Sequence, residues 1–270
     1  MVVATVFFCL RGIYPGKTCH DQFIAWNPTT NEVHLIPSAP SLGNSNINNS
    51  FNSFYGFGAV NGDFKVVKLN ISYRNEITKL FYLLSAEVYN LSTKSWTPIL
   101  NIPPHTIATN RPPSRYNTLV NGVYHWITSS YYISKILCFD FHNNQFQQLD
   151  APNLRDATPF FAYFHEDVIE INGSLGYVVE YRNPSMVKLE IWTMEKNGWA
   201  KKYNFDTTQS MFHIYGIWND GAEILGGNVE MRKLASYDHQ GNALCQFQFK
   251  ISKDYVLIYE YVPSIALLSK

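Results

Sequence analysis

The sequence predicts an all-β, β-propeller-like (kelch-like) fold of about five to six blades, each of four antiparallel strands. Three observations lead there. Four Asn-Gly or Asp-Gly pairs, Asn61-Gly62, Asn121-Gly122, Asn172-Gly173 and Asp220-Gly221, recur at spacings of 60, 51 and 48 residues. A type I′ turn needs positive φ at both central residues, so such a pair between apolar runs is a strong hairpin signal. A second series of polar turns runs in step with the first. Finally, the chain is 46% hydrophobic and 16% aromatic, with 18 Tyr and 18 Phe. Side chains of that kind suit a pleated, half-buried surface, and no long stretch places apolar residues at helical spacing.

The units follow one another along the chain. Phe23–Asn27 reads as a strand, Pro28-Thr29-Thr30-Asn31 as its turn, and Glu32–Leu35 as the return strand. Phe57–Val60 and Phe64–Val67 flank Asn61-Gly62, and Ala86–Asn90 leads through Leu91-Ser92-Thr93-Lys94 to Ser95-Trp96. Val120 and Val123–Trp126 surround the next Asn-Gly, with Ile136–Phe141 and Gln145-Phe146 after it. Leu189–Glu195 turns into Gly198-Trp199, and Leu234–Asp238 turns into Ala243-Leu244. Asn and Asp at these corners bond the backbone two residues on. A final strand over Tyr255–Leu267 belongs to a sixth unit or completes the first. Residues 1–270 read as one domain, because all-β folds reach this size as a single unit. The Asn/Ser-rich run 41–53 and the Pro-rich run 103–113 are loops.

Charge and composition narrow the function. Lys+Arg and Asp+Glu are 21 each, so no basic stripe is present to bind nucleic acid. No apolar run approaches the ~18 residues of a membrane span. Met1–Leu10 lacks the basic start and small-residue cleavage site of a signal peptide and reads as an edge strand. The cysteines Cys9, Cys19, Cys138 and Cys245 form no C-x-x-C pair. Cys138 and Cys245 fall in apolar strand patterns, as small buried hydrophobes do. A reducing compartment follows, cytoplasmic or nuclear, without metal or disulfide framework. Of four sequons, Asn48, Asn70, Asn90 and Asn172, the last two are explained by turn chemistry.

Catalytic signatures are thin. The eight histidines show no H-x-x-x-H spacing, and no G-x-S-x-G elbow, phosphate loop or dinucleotide fingerprint occurs. His125, next to Trp126, reads as a packed histidine. Glu166, Asp167 and Glu170 cluster just before Asn172-Gly173, and paired carboxylates can run glycoside chemistry. Just upstream of that turn, acidic residues on the solvent face of a strand are ordinary, and this reading is preferred to a catalytic one. No cofactor and no catalytic residue is expected.

An ordered series of motifs resembles the plant F-box-associated interaction domain, the domain of S-locus-type F-box proteins. The opening Trp26-Asn27-Pro28-Thr29 is similar to its first turn. Gly56-Phe57-Gly58, Asp63–Val67 and Val88-Tyr89 leading to Ser95-Trp96 follow. Val120–Trp126 resembles its "NG-x-x-HW" strand pair, with Ile136–Asp140 at the expected distance. Leu189–Met194 is similar to its "EIW-x-M" strand, and Leu234–Asp238 and Tyr261–Ile265 to its closing strands. The match runs over about residues 23–268. The resemblance implies a non-catalytic protein-binding domain that captures the target of an SCF (Skp, cullin, F-box) ubiquitin ligase. The adaptor is a partner only through an F-box upstream, and none precedes the first repeat here. The first hairpin carries Ala4-Thr5-Val6-Phe7 where Asn-Gly is expected, so the ring is expected to be incompletely closed at the N-terminus.

In a propeller both tight turn series emerge on one face, and the long connections emerge on the other. Binding residues concentrate on variable loops held by a rigid scaffold. Tyr73, Arg74, Arg111, Arg115, Tyr131, Tyr132, Tyr181 and Arg182 lie in or beside those connections. Tyr and Arg are enriched at interface hot spots, so these residues are the expected contact set for a protein partner. A standalone ligand- or glycan-binding propeller, a kelch-like copper oxidase and a truncated, non-functional copy are the alternatives. The oxidase needs converging Tyr, His and Cys ligands, and Cys138 sits in mid-strand.

Overall fold

In a computed structural model of the chain, the described residues are 8–12, 22–40, 52–73, 81–100, 102, 117–129, 134–154, 163–182, 187–207, 212–218, 222–228 and 233–247. They form five antiparallel sheets in chain order. The first holds β1 (Phe8–Gly12), β2 (Gln22–Asn27) and β3 (Glu32–Ile36). The second holds β4 (Asn52–Val60), β5 (Asp63–Tyr73), β6 (Phe81–Asn90) and β7 (Ser95–Pro98). The third holds β8 (Asn117–Val120), β9 (Val123–Ser129), β10 (Ser134–Asp140) and β11 (Gln145–Asp150). The fourth holds β12 (Tyr163–Ile171), β13 (Ser174–Arg182), β14 (Val187–Glu195) and β15 (Gly198–Thr207). The fifth holds β16 (Phe212–Trp218), β17 (Glu223–Asn228), β18 (Lys233–Tyr237) and β19 (Ala243–Phe247). In each, sequence neighbours are sheet neighbours.

Turn chemistry dictates this pairing. Asn61, Asn121 and Asn172 have φ of 54°, 50° and 49°, and the glycines after them 77°, 77° and 76°. Both central residues are left-handed, which is the type I′ hairpin the sequence predicts. Asp220-Gly221 lies outside the described residues. In the second series, Asn31, Lys94 and Asn144 close their turns with φ of 56°, 51° and 56°. Corner side chains brace these turns. Asn27 Oδ1 accepts from the Thr29 N–H at 3.0 Å, and Asp140 Oδ1 accepts from the His142 N–H at 2.8 Å. Asp238 Oδ1 accepts from Gln240 and Asn242 in the same way.

The sheets stack face to face in chain order, and the core consists of the layers between them. Phe23, Ala25 and Ile36 of the first sheet meet Phe64, Val66 and Tyr89 of the second. Val67, Leu69 and Val88 meet Trp126, Leu137 and Phe139 of the third. On the third sheet's other side, Ile127, Ile136 and Cys138 meet Tyr177, Val179 and Tyr181 of the fourth. Ile169, Leu189 and Ile191 meet Ile214, Ile224 and Ala235 of the fifth. The first strands run side by side, β4 against β8 and β12 against both β8 and β16, so they are the innermost strands of radially arranged blades. This is a β-propeller.

Close approach explains the Gly-Phe-Gly of β4. A Cβ at Gly56 would lie 2.7 Å from the rings of Trp126 and Tyr124, and one at Gly58 would lie 2.9 Å from Phe141. Only glycine lets this strand press onto the aromatic face of the third sheet.

Candidate interaction face

Strand order sends the chain's connections to two opposite ends of each sheet. The turns 61–62, 91–94, 121–122, 141–144, 172–173 and 196–197 lie at one end. The connections between second and third strands, and from each sheet to the next, lie at the other. Neighbouring turns are tied together: the Asn121 Nδ2 group donates to the Gly173 carbonyl at 2.8 Å, and Lys65 Nζ donates to the Phe141 carbonyl at 2.8 Å. The turn end is thus braced by its own hydrogen bonds.

Of the expected contact residues, Tyr73 and Arg182 are the last residues of β5 and β13. Both are second strands, so their backbones reach the loop end at equivalent places. Arg74, Arg111, Arg115, Tyr131 and Tyr132 lie outside the described residues. Tyr181 is a correction. Its side chain is fully buried between the third and fourth sheets, and its hydroxyl donates to Glu190 Oε2 at 3.3 Å. Alternation puts it on the inward side of β13, away from any partner.

The cluster at Glu190 escaped the sequence reading. Glu190 is 1% exposed and accepts from Lys201 Nζ at 2.8 Å, with Lys188 Nζ at 3.0 Å. Lys201 also stands 4.8 Å over the Trp192 ring. Burial would raise the Glu190 pKa, but hydrogen bonds and charge from Lys201 and Lys188 outweigh it and hold the carboxyl low. Burial, then the neighbouring Glu190 charge, pushes the Tyr181 phenol up. Glu87 is the opposite case. It is 4% exposed, Oε2 has no hydrogen-bond partner, and burial raises its pKa against the pull of Lys68. A charged residue at an inward position of Ser85-Ala86-Glu87-Val88-Tyr89 was the available signal. Next to it, Ser53 donates to Asn70 at 3.2 Å and Asn70 to Ser85 at 3.0 Å. The layer between the first and second sheets therefore turns polar toward its loop end.

The carboxylates considered for glycoside chemistry have structural work. Glu166 accepts from Tyr177 Oη at 2.5 Å and from Ser134 Oγ at 2.8 Å, tying the third sheet to the fourth. Asp167, expected on a solvent face, is buried, with His165 Nδ1 at 3.3 Å. Glu170 is exposed and accepts from the Gly173 N–H, which braces the turn. His125 is buried as expected, with Nδ1 3.4 Å from the Thr118 carbonyl, and burial pushes its pKa down to about 4. Cys138 is buried and its thiol pushed up to about 12, whereas Cys245, also expected inside, is exposed on β19. Among the described residues no three His, Cys, Asp or Glu side chains are grouped to hold a metal ion. No helix there is long and apolar enough to cross a membrane.

A family model described as the F-box associated beta propeller domain matches residues 3–253. Two Arabidopsis thaliana proteins whose names describe them as F-box proteins are similar. At1g46840 is 29% identical over 198 residues, which cover 70% of this chain and 36% of the relative. At3g17500 is 25% identical over 157 residues, which cover 57% and 38%. The chain thus spans well under half the length of either relative. Among solved structures, an ulvan-type polysaccharide lyase superposes with a TM-score of 0.49 at 9% identity, covering 87% of this chain and 65% of its own. TolB of Acinetobacter baumannii superposes with a TM-score of 0.46 at 10% identity, covering 90% and 54%.

Proposed function

This chain belongs to the F-box associated β-propeller family, and we propose that it is the target-recognition part of an F-box-type SCF ubiquitin ligase component. The observation that carries this reading is the family match over residues 3–253, on a scaffold whose connections divide into a braced turn end and a loop end. A rigid stack presenting long connections on one side suits binding. The domain captures a protein and performs no chemistry. It works in the cytoplasm or nucleus, where the ligase operates. The adaptor is a partner only if an F-box lies upstream of this domain, as the names of the relatives suggest it does in them.

The contact set, without Tyr181, is Tyr73, Arg74, Arg111, Arg115, Tyr131, Tyr132 and Arg182. Replacing Tyr131, Tyr132 and Arg182 together by Ala removes two large rings and a fork of donors from the proposed contact set. Affinity capture from plant extract, compared between the chain and this variant, is expected to lose its captured protein while the melting temperature stays unchanged. Undiminished capture would move the binding surface elsewhere.

A further inference from the structure

The hairpins at Asn61, Asn121 and Asn172 carry the same Asn-Gly pair and the same left-handed backbone, and all three asparagines are exposed. Their surroundings differ. The turn 121–122 is held twice: the Asn121 Nδ2 group donates to the Gly173 carbonyl at 2.8 Å, and the Gly122 carbonyl accepts from the Phe141 N–H at 3.0 Å. The His142 ring lies against Gly122 as well. The turn 172–173 is also held twice, because Gly173 accepts from Asn121 at its carbonyl and donates its N–H to Glu170 Oε1.

The turn 61–62 has neither kind of restraint. In the second sheet the bond matching that of Phe141 runs from the Leu91 N–H to the Phe64 carbonyl at 2.9 Å, two residues beyond the glycine. Space around Gly62 is open, and among the described residues no hydrogen bond engages the Asn61 carboxamide or the Gly62 N–H. A further pair, Asn197-Gly198, belongs to the second turn series. Its glycine is the first residue of β15 and is paired with Glu195, so its nitrogen is part of the sheet.

An Asn-Gly pair is able to react with itself, since glycine has no Cβ to shield its nitrogen. The glycine backbone nitrogen bonds to the asparagine Cγ, the Cγ–Nδ2 bond breaks, and ammonia leaves carrying the amide proton. Water then opens the cyclic imide at either carbonyl and leaves an aspartyl or isoaspartyl residue. In sum, carboxamide and water become carboxyl and ammonia, with no change of oxidation state. Ring formation requires the turn to open, and local opening is easiest where the fewest bonds must break.

We propose that Asn61 is the self-modification site of this domain, deamidating through a cyclic imide ahead of Asn121 and Asn172. The new carboxylate stands two residues from Asp63, whose own carboxylate accepts from the Ser92 N–H at 2.9 Å and from Ser92 Oγ at 2.7 Å. Like charge at that distance, and the extra backbone methylene of the isoaspartyl form, loosen the link between the two turns of the second sheet. The change is confined to the turn end, away from the proposed contact set.

Peptide mapping by mass spectrometry, on the full chain held in mildly alkaline buffer with and without urea, tests the assignment. Dividing the native rate at each site by its rate in urea removes the influence of neighbouring sequence. That ratio is expected to be highest at Asn61, about fivefold lower at Asn121 and about tenfold lower at Asn172, where the lost bond is charged. Equal ratios, a higher ratio at another site, or an unreactive Asn61 in the native chain would overturn the proposal. Glu170→Ala frees the Gly173 N–H and is expected to raise the Asn172 ratio several-fold while leaving that of Asn61 unchanged. An Asn172 ratio that stays the same or falls in this variant counts against restraint by hydrogen bonds as the cause.

Discussion

Trp96 and Trp199 hold the same place in their sheets, the second residue of the outermost strand, and each donates its indole N–H at 2.8 Å to a backbone carbonyl at the end of the preceding sheet's last strand, Pro37 just past β3 and Asp150 of β11. The bond is a latch between blades, repeated two blades apart. Trp96 also packs on Tyr89 with ring centroids 5.4 Å apart, and Trp199 on Tyr177 at 5.7 Å. Aromatic mass and polar tip thus work in opposite directions: the ring holds its own sheet, and the N–H holds the neighbour.

Replacing the indole by a phenyl ring removes the latch donor together with part of the packed ring, so the hydrogen bond sets the lower bound of the cost. Trp199→Phe is expected to cost at least about 1 kcal/mol, the net worth of one hydrogen bond, and Trp96→Phe about the same. The two sites share no partner, so the double variant should be additive within about 0.5 kcal/mol. Urea unfolding of the four proteins measures both points.

Two glycines separate backbone strain from steric contact. Gly62 has a φ of 77° and open space around an added Cβ, so Gly62→Ala should cost roughly 1 kcal/mol from conformation alone. Gly56 faces the Trp126 and Tyr124 rings at 2.7 Å, and Gly56→Ala must displace packed aromatics, at roughly 1–3 kcal/mol. Thermal unfolding should rank Gly56→Ala as the more damaging.

Tyr181→Ala should unfold the protein more readily rather than blunt recognition selectively. Truncating a fully buried aromatic costs about 3–5 kcal/mol, and the Glu190 oxygen loses a donor besides. A melting curve taken beside the capture assay distinguishes the two outcomes.

Stability should depend on pH through three buried groups, with signs set by their shifts. His125 is held low, at about 4, so its contribution is complete above about pH 6.5 and is lost as pH falls toward 4. Glu190 is also depressed, so its contribution is present above the ordinary carboxylate range and disappears on acidification. Glu87 is raised, so its contribution is full at low pH and is lost as pH rises through its folded value. Glu87→Gln is therefore expected to increase stability at pH 7, and Glu190→Gln to decrease it. Urea midpoints from pH 4 to pH 8 for both variants and His125→Asn read out the three slopes.

Much of this architecture was legible beforehand because turn geometry is a local property. Asn61-Gly62, Asn121-Gly122 and Asn172-Gly173 adopt positive φ because their own covalent structure tolerates it. Strand alternation follows from the same short-range rule, so hairpin positions, repeat spacing and sheet order could be written down from residues alone. Whether a strand residue lies inside a layer is a different question, answered by sheets far apart in the chain. Tyr181 looked like a contact residue and is core, Asp167 looked solvent-facing and is buried, and Cys245 looked buried and is exposed. Glu190 lies inside with Lys188 and Lys201 because the fourth sheet's inward side meets the third there. Burial is a property of two surfaces, and a strand carries only one of them in its sequence.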